Sequence, residues 1–287
     1  NKWVNPKYSV KETPIEQLEL ARDYYKKKDY KEAIKEFNKL IKHYPKAVEA
    51  PEAQYYIGLC LEEQDEFYEA VKEYQVVIDK YPFSERSAEI VKRQYDIGEK
   101  LLEGRKDRSK FIEAIAGTNY DVIDIFRKVI KNAPYGELAP PAQYKIGLYL
   151  LEKGLFQEAR DEFEKVLNDY PDNEWSKAAK YQIAISDSRR STNVEYDQKI
   201  TQSAVEEFKE FVDIYPDAEL SREAKKHIQT LRDKEAKNAY MIAQFYEKQQ
   251  NYKAAKIYYQ AVVDEHSNSK WSSKALVKIR EMTEKIE

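Results

Sequence analysis

The chain has 287 residues, 49 Lys and Arg against 52 Asp and Glu for a formal net charge of −3, and only 7 Gly. That balance argues against a nucleic-acid backbone as the main partner, which needs a strong basic excess. A chain so poor in Gly reads as mostly helix, with few tight turns or phosphate-cradling loops. No apolar run reaches the length that spans a bilayer, and Cys60, the single cysteine, leaves no intramolecular disulfide and no multi-cysteine zinc site.

In chain order, residues 1–13 contain Pro6 and show no helical period, so they read as an extended tail. From Pro14 a repeat begins. Gln54-Tyr55-Tyr56-Ile57-Gly58 recurs as Gln143-Tyr144-Lys145-Ile146-Gly147, and twelve residues after each Gly stand Ala70 and Ala159. An aromatic follows four later (Tyr74, Phe163), then Tyr81-Pro82 and Tyr170-Pro171. The first unit keeps these offsets with Ala21, Ala33, Phe37 and Tyr44-Pro45. Gly98, Phe126 and Pro134 mark a third unit, Ala184, Ala204, Phe208 and Tyr215-Pro216 a fifth, and Ala243, Ala255, Tyr259 and Ser267 a sixth. Small residues let two antiparallel helices approach, the aromatic fills the gap to the next unit, and Pro stops the second helix. This is the 34-residue tetratricopeptide pattern. It predicts an all-α, right-handed superhelical solenoid forming one domain over 14–287, with repeats at 14–45, 51–82, 88–134, 140–171, 175–216 and 236–267.

Spacing irregularities predict insertions at 104–118 and 187–200, carrying Arg105, Lys106, Arg108 and Lys110, then Arg189 and Arg190. Either cluster would suit anionic headgroups or an acidic partner. No Pro or Gly interrupts 221–249, which predicts one long helix, and 271–286 predicts a helix closing the array.

Catalysis needs convergent groups. His43, His227 and His266 are the only histidines, no hydrolase, P-loop, dinucleotide or zinc-protease motif occurs, and the carboxylates alternate with Lys and Arg as on solvated faces. We therefore expect no enzyme, no cofactor and no metal. What remains is a groove lined by the first helix of each unit. Its fifth position carries Tyr55, Tyr95, Tyr144, Tyr181 and Tyr240, with Leu18 in the first unit. These rings either pack between neighbouring helices or form an aromatic stripe facing a bound peptide. Arg22, Lys92, Arg189, Lys237 and Lys248 lie at or near groove positions, where they would meet a partner's carboxylates.

The run Thr13 to Pro45, the segment Tyr196-Asp197-Gln198 through Thr201, Ala204, Phe208 and Tyr215-Pro216, and the stretch Arg232, Ala236, Tyr240, Ala243, Phe245-Tyr246 and Tyr252 resemble the outer-membrane assembly lipoprotein family BamD, also called ComL. Six repeats stand here where that family's usual members have five. The resemblance implies a non-catalytic protein on the periplasmic face of the outer membrane, held by a lipid anchor upstream of residue 1. It implies docking of the POTRA-bearing barrel assembly subunit through the last units, with Tyr240, Gln244 and Lys248. Leu18, Arg22, Tyr25, Tyr55 and Leu59 would read the C-terminal segments of unfolded outer-membrane proteins, and other assembly lipoproteins would be further partners. A Tol–Pal-type periplasmic scaffold is the alternative. A cytosolic co-chaperone fits less well, because Leu18, Arg22, Tyr55 and Leu59 stand where such clamps place Lys and Asn.

Overall fold

The computed structural model describes residues 9–106, 122–171, 173–192 and 198–286. Among these the secondary structure is helical throughout, with no strand. The helices are α1 (Pro14–Lys26), α2 (Tyr30–His43), α3 (Ala50–Glu62), α4 (Phe67–Lys80), α5 (Ser87–Lys106), α6 (Val122–Asn132), α7 (Ala139–Glu152), α8 (Phe156–Asp169), α9 (Glu174–Thr192), α10 (Gln198–Ile214), α11 (Glu219–Lys248), α12 (Tyr252–Glu265) and α13 (Lys270–Ile286). They divide into two compact units, Asn1–Ile146 and Gly147–Glu287. Of the expected tail, residues 1–8 lie outside the described chain. So do 107–121 and 193–197, which hold much of both expected insertions, and the side chains of Arg105, Lys106, Arg108 and Lys110.

Local chemistry sets the boundaries. Thr13 caps α1 by accepting the Glu16 N–H at 3.3 Å, Pro14 follows at the first helical position, and Asp29 caps α2 through the Glu32 N–H at 3.3 Å. The tight turns inside the pairs do not need the missing glycines. Lys28, Asp65 and Gln250 take the left-handed conformation at φ 60°, 60° and 56°, and among the described residues only Gly154, at φ 78°, uses a glycine there. Each non-glycine residue pays about 1 kcal/mol for that backbone, which the helix packing on either side overcomes.

In the first unit the cores run through Ala21, Ala33, Phe37 and Cys60, then Ala70, Tyr74 and Ile97. In the second they run through Ala184, Ala204 and Phe208, then Ala243, Ala255 and Tyr259. Each of these repeat-signature residues is fully buried. The signature glycines serve packing. A Cβ on Gly98 would lie 2.8 Å from the Phe126 ring, and one on Gly147 would lie 2.6 Å from the Phe163 ring.

The expected loop at 187–200 is helical at both ends. α9 continues to Thr192 because its extra turn is held by buried polar pairs: Asp187 accepts from Arg160 (3.2 Å) and Ser203 (3.1 Å), and the Ser191 and Thr201 hydroxyls meet at 2.7 Å. The long helix appears as the thirty residues of α11, about 45 Å at 1.5 Å per residue.

Candidate binding surfaces

In the first unit, the first helices α1, α3 and α5 are joined by one chain of charges. Arg22 on α1 pairs with Glu52 on α3 at 2.6 Å. Glu52 also receives a bidentate pair from Arg86 at 2.8 and 2.9 Å, and Arg86 reaches Glu89 at 2.8 Å. Tyr55 donates its hydroxyl to Glu89 and accepts from Arg93 at 2.9 Å. Arg93 then reaches Glu62 at 3.2 Å, which also accepts the Tyr74 hydroxyl at 2.8 Å. Burial works to raise the Glu52 carboxyl, but the hydrogen bonds from Arg86 and Arg22 outweigh it and hold the group below its usual range. Burial, with Glu89 as its hydrogen-bond acceptor, pushes the Tyr55 phenol well above its ordinary value. The Arg22 and Arg86 guanidinium groups lie over the Tyr56 and Tyr55 rings, at 5.0 and 4.9 Å from the centroids.

This decides between the two readings of the tyrosines. Tyr55, Tyr95, Tyr144, Tyr181 and Tyr240 are all buried. Tyr55 packs on Tyr74, Tyr95 on Phe126, Tyr181 on Phe208 and Phe211, and Tyr240 on Tyr259 and Trp271. Of the two alternatives, burial favours packing between neighbouring helices over an exposed aromatic stripe. Leu18 and Leu59 are buried likewise, while Arg22 and Tyr25 stay partly open. Tyr25 sits edge-on to Tyr56 at 5.2 Å, and burial lifts its phenol to about 12.

In the second unit, Gln244 and Lys248 do come together. They line a cleft of about 420 Å³ with Glu247, Tyr252, Lys278 and Lys285. Glu247 in its lining accepts the hydroxyl of the buried Tyr259 at 2.6 Å, and Lys278 pairs with the same carboxylate at 3.1 Å. Beside it α11 and α12 display an apolar patch. Met241 and Phe245, one turn apart, are more than half exposed. Phe245 meets Tyr246 at 5.5 Å, and Tyr246 stacks on the partly exposed Tyr258 at 4.8 Å. A separate polar notch of about 480 Å³ opens between α10, α11 and the α12–α13 turn, where burial raises the Glu235 carboxyl against the pull of His266, Arg232 and Lys209.

Sequence reasoning missed Glu52, Glu62, Arg86, Glu89 and Arg93, which it read as solvated charge. A signal existed: Glu52 to Arg86 and Tyr55 to Glu89 are each 34 residues apart, one repeat length. It also missed Gln17, Gln54 and Gln94, buried one residue before the fifth position: Gln17 and Gln54 each bond to a carboxylate 19 residues on in their own pair, whereas Gln94 reaches back 19 residues to Gln75 of the preceding pair. Among the described residues no group of His, Cys, Asp and Glu is placed to hold a metal ion. His227 is stacked on Phe208 at 5.0 Å, and burial lowers its pKa.

Two tetratricopeptide-repeat families have models that match residues 18–85 and 141–173. The fold is a tetratricopeptide-repeat array. A further family, the YfiO outer membrane lipoproteins, matches residues 184–286. Among solved structures, the chain is similar to a tetratricopeptide protein of Parabacteroides merdae at 13% identity, covering 94% of this chain and 98% of that one with a TM-score of 0.36. A tetratricopeptide protein of Bacteroides fragilis matches at 15% identity, 77% and 98% coverage and a TM-score of 0.48. The C-terminal part of one from Cytophaga hutchinsonii matches at 16% identity, 93% and 88% coverage and a TM-score of 0.38. No curated protein matches the chain.

Proposed function

We propose that this tetratricopeptide protein is a non-catalytic scaffold of outer-membrane β-barrel assembly, similar in role to BamD. It would dock the POTRA-bearing barrel subunit and bind C-terminal segments of unfolded outer-membrane proteins. The observation that carries the reading is the coincidence of the YfiO lipoprotein match over 184–286 with the exposed patch of Met241, Phe245 and Tyr258 around the half-buried Tyr246, and with the Gln244–Lys248 cleft. An apolar centre with a charged rim is the anatomy of a protein–protein contact. The POTRA-bearing subunit is the occupant this reading assigns to it. No helix among the described residues is long and apolar enough to cross a membrane. From the likeness to the YfiO lipoproteins, this reading takes attachment to be by a lipid anchor upstream of residue 1, at the periplasmic face of the outer membrane.

Client binding would fall to the first unit, with Arg22 and Tyr25 as its accessible groups and the buried Leu18, Tyr55 and Leu59 as their support. The test is capture of the tagged full-length protein from detergent-solubilised membranes, with mass spectrometry of what remains bound. A POTRA-bearing barrel subunit should dominate the wild-type eluate and fall at least about tenfold with Lys248→Glu combined with Phe245→Ser, as expected for the loss of anchor contacts. Recovery of Tol–Pal components instead, or a variant that retains the barrel subunit, sinks this assignment.

A further inference from the structure

Three successive turns between helix pairs in the first unit each present an apolar side chain that nothing covers. Val48 is 87% exposed, and Phe83 and Tyr135 are each 98% exposed. Phe83 and Tyr135 hold the same register, one residue past Pro82 and Pro134. Val48 and Phe83 line the same cleft of about 920 Å³, with Pro51, Tyr81 and Pro82 between them, so they are neighbours on one edge. In the second unit the residue after Pro216 is the exposed Asp217, and the α12–α13 turn carries Ser267 and Asn268. A ring left wholly in water adds nothing to the folded state, and apolar residues gathered on one edge mark an interaction surface.

The setting of these side chains points to the partner. They project from turns, and exposed lysines, Lys46, Lys80 and Lys131, stand within four residues of each. Glu49, Glu85 and Glu137 also lie in the turns, while Arg86 is committed to Glu52 and Glu89. Protruding Phe and Tyr suit the headgroup layer of a bilayer, where amphipathic rings settle, and turns that carry lysines and carboxylates in balance suit zwitterionic headgroups. The chain also enters the fold at this edge: the Tyr44 hydroxyl, on the first of the three turns, donates to the Lys11 and Glu12 carbonyls at 2.6 and 3.0 Å.

We propose that the edge formed by Val48, Phe83 and Tyr135 is a bilayer-contact surface that inserts its rings into the headgroup interface of a membrane. This goes beyond the scaffold reading and stands without it, although a lipid anchor upstream would hold the same edge at the bilayer. Contact through three turns is reversible.

The test is co-sedimentation of the unlipidated chain with phosphatidylcholine vesicles, with and without about one quarter phosphatidylglycerol. The wild type should bind both kinds of vesicle, and Phe83→Ser with Tyr135→Ser should reduce binding roughly tenfold or more at unchanged helical circular dichroism. Both side chains lie in solvent, so the variant keeps its fold. A Phe83→Trp variant should show a blue-shifted emission on the same vesicles. Absence of vesicle binding, binding that ignores the double substitution, or unshifted emission overturns the proposal. Loss of a captured protein with no vesicle binding would make the edge a protein-docking site instead. Capture of the barrel subunit through the Lys248 region should be indifferent to these substitutions, so the two readings fail separately.

Discussion

Glycine in this chain is spent on proximity more than on turns. Gly98 lies under the Phe126 ring so closely that a methyl group would sit 2.8 Å from two ring carbons. Both ring and glycine are buried. Helix propensity favours Ala over Gly by about 1 kcal/mol, whereas overpacking costs about 1–3 kcal/mol. We expect Gly98→Ala to be net destabilising by about 1–2 kcal/mol, read as a lower urea midpoint. An unchanged or raised midpoint would show that Phe126 yields. The same reasoning revises Tyr55. With its ring enclosed and its hydroxyl tied to Glu89 and Arg93, a Tyr55→Ala variant tests packing and not recognition. Its position in the repeat was plain from the pattern. Its burial was not, because the atoms that cover it come from neighbouring helices.

Between helices, the Arg–Glu–Tyr chain ties α1 to α3 and α3 to α5. Burial raises the Glu89 carboxyl, and hydrogen bonds from Tyr55, Arg86 and Arg93 lower it by more, as happens at Glu52. A carboxylate depressed in the folded state contributes stability that is fully present above its unfolded pKa, about 4.3, and is lost as pH falls through the folded value. The first unit should hold its stability from neutrality down to about pH 5 and lose it progressively below about pH 4. Glu52→Gln should cost about 1–2 kcal/mol at pH 7 and flatten that acid slope. Urea titrations at neutral and acid pH compare the two directly. A variant with the wild-type slope would mean that Glu52 does not carry the effect. The helices and their order could be read from small residues, aromatics and Pro at fixed offsets. The network could not, since on a single helix each of these charges looks like any other solvated group.

For the molecule as a whole, two compact units carry separate surfaces: a cleft and apolar patch on the second, and an edge of bare turn residues on the first. Cys60 offers an internal reporter for the first. It is fully buried in the α1–α3 core, and burial raises its thiol to about 12. In native protein at pH 8 it should therefore react with a thiol reagent at least about a hundredfold more slowly than a free cysteine. Denaturant that unfolds the first unit should restore the full rate. Fast native labelling would show that the first unit opens readily.

The sequence by itself determined the helical repeat, the buried Ala and aromatic signature and the long helix at 221–249. Each of these rests on contacts between residues one turn or one helix apart, and such contacts leave a fixed spacing in the chain. Only the tertiary structure decided which way the fifth-position tyrosines face, that the 187–192 stretch extends a helix, which charges pair across repeats and which turn residues stay bare. Those outcomes depend on what a neighbouring helix covers, and coverage is a property of assembled surfaces, which spacing along one chain does not encode.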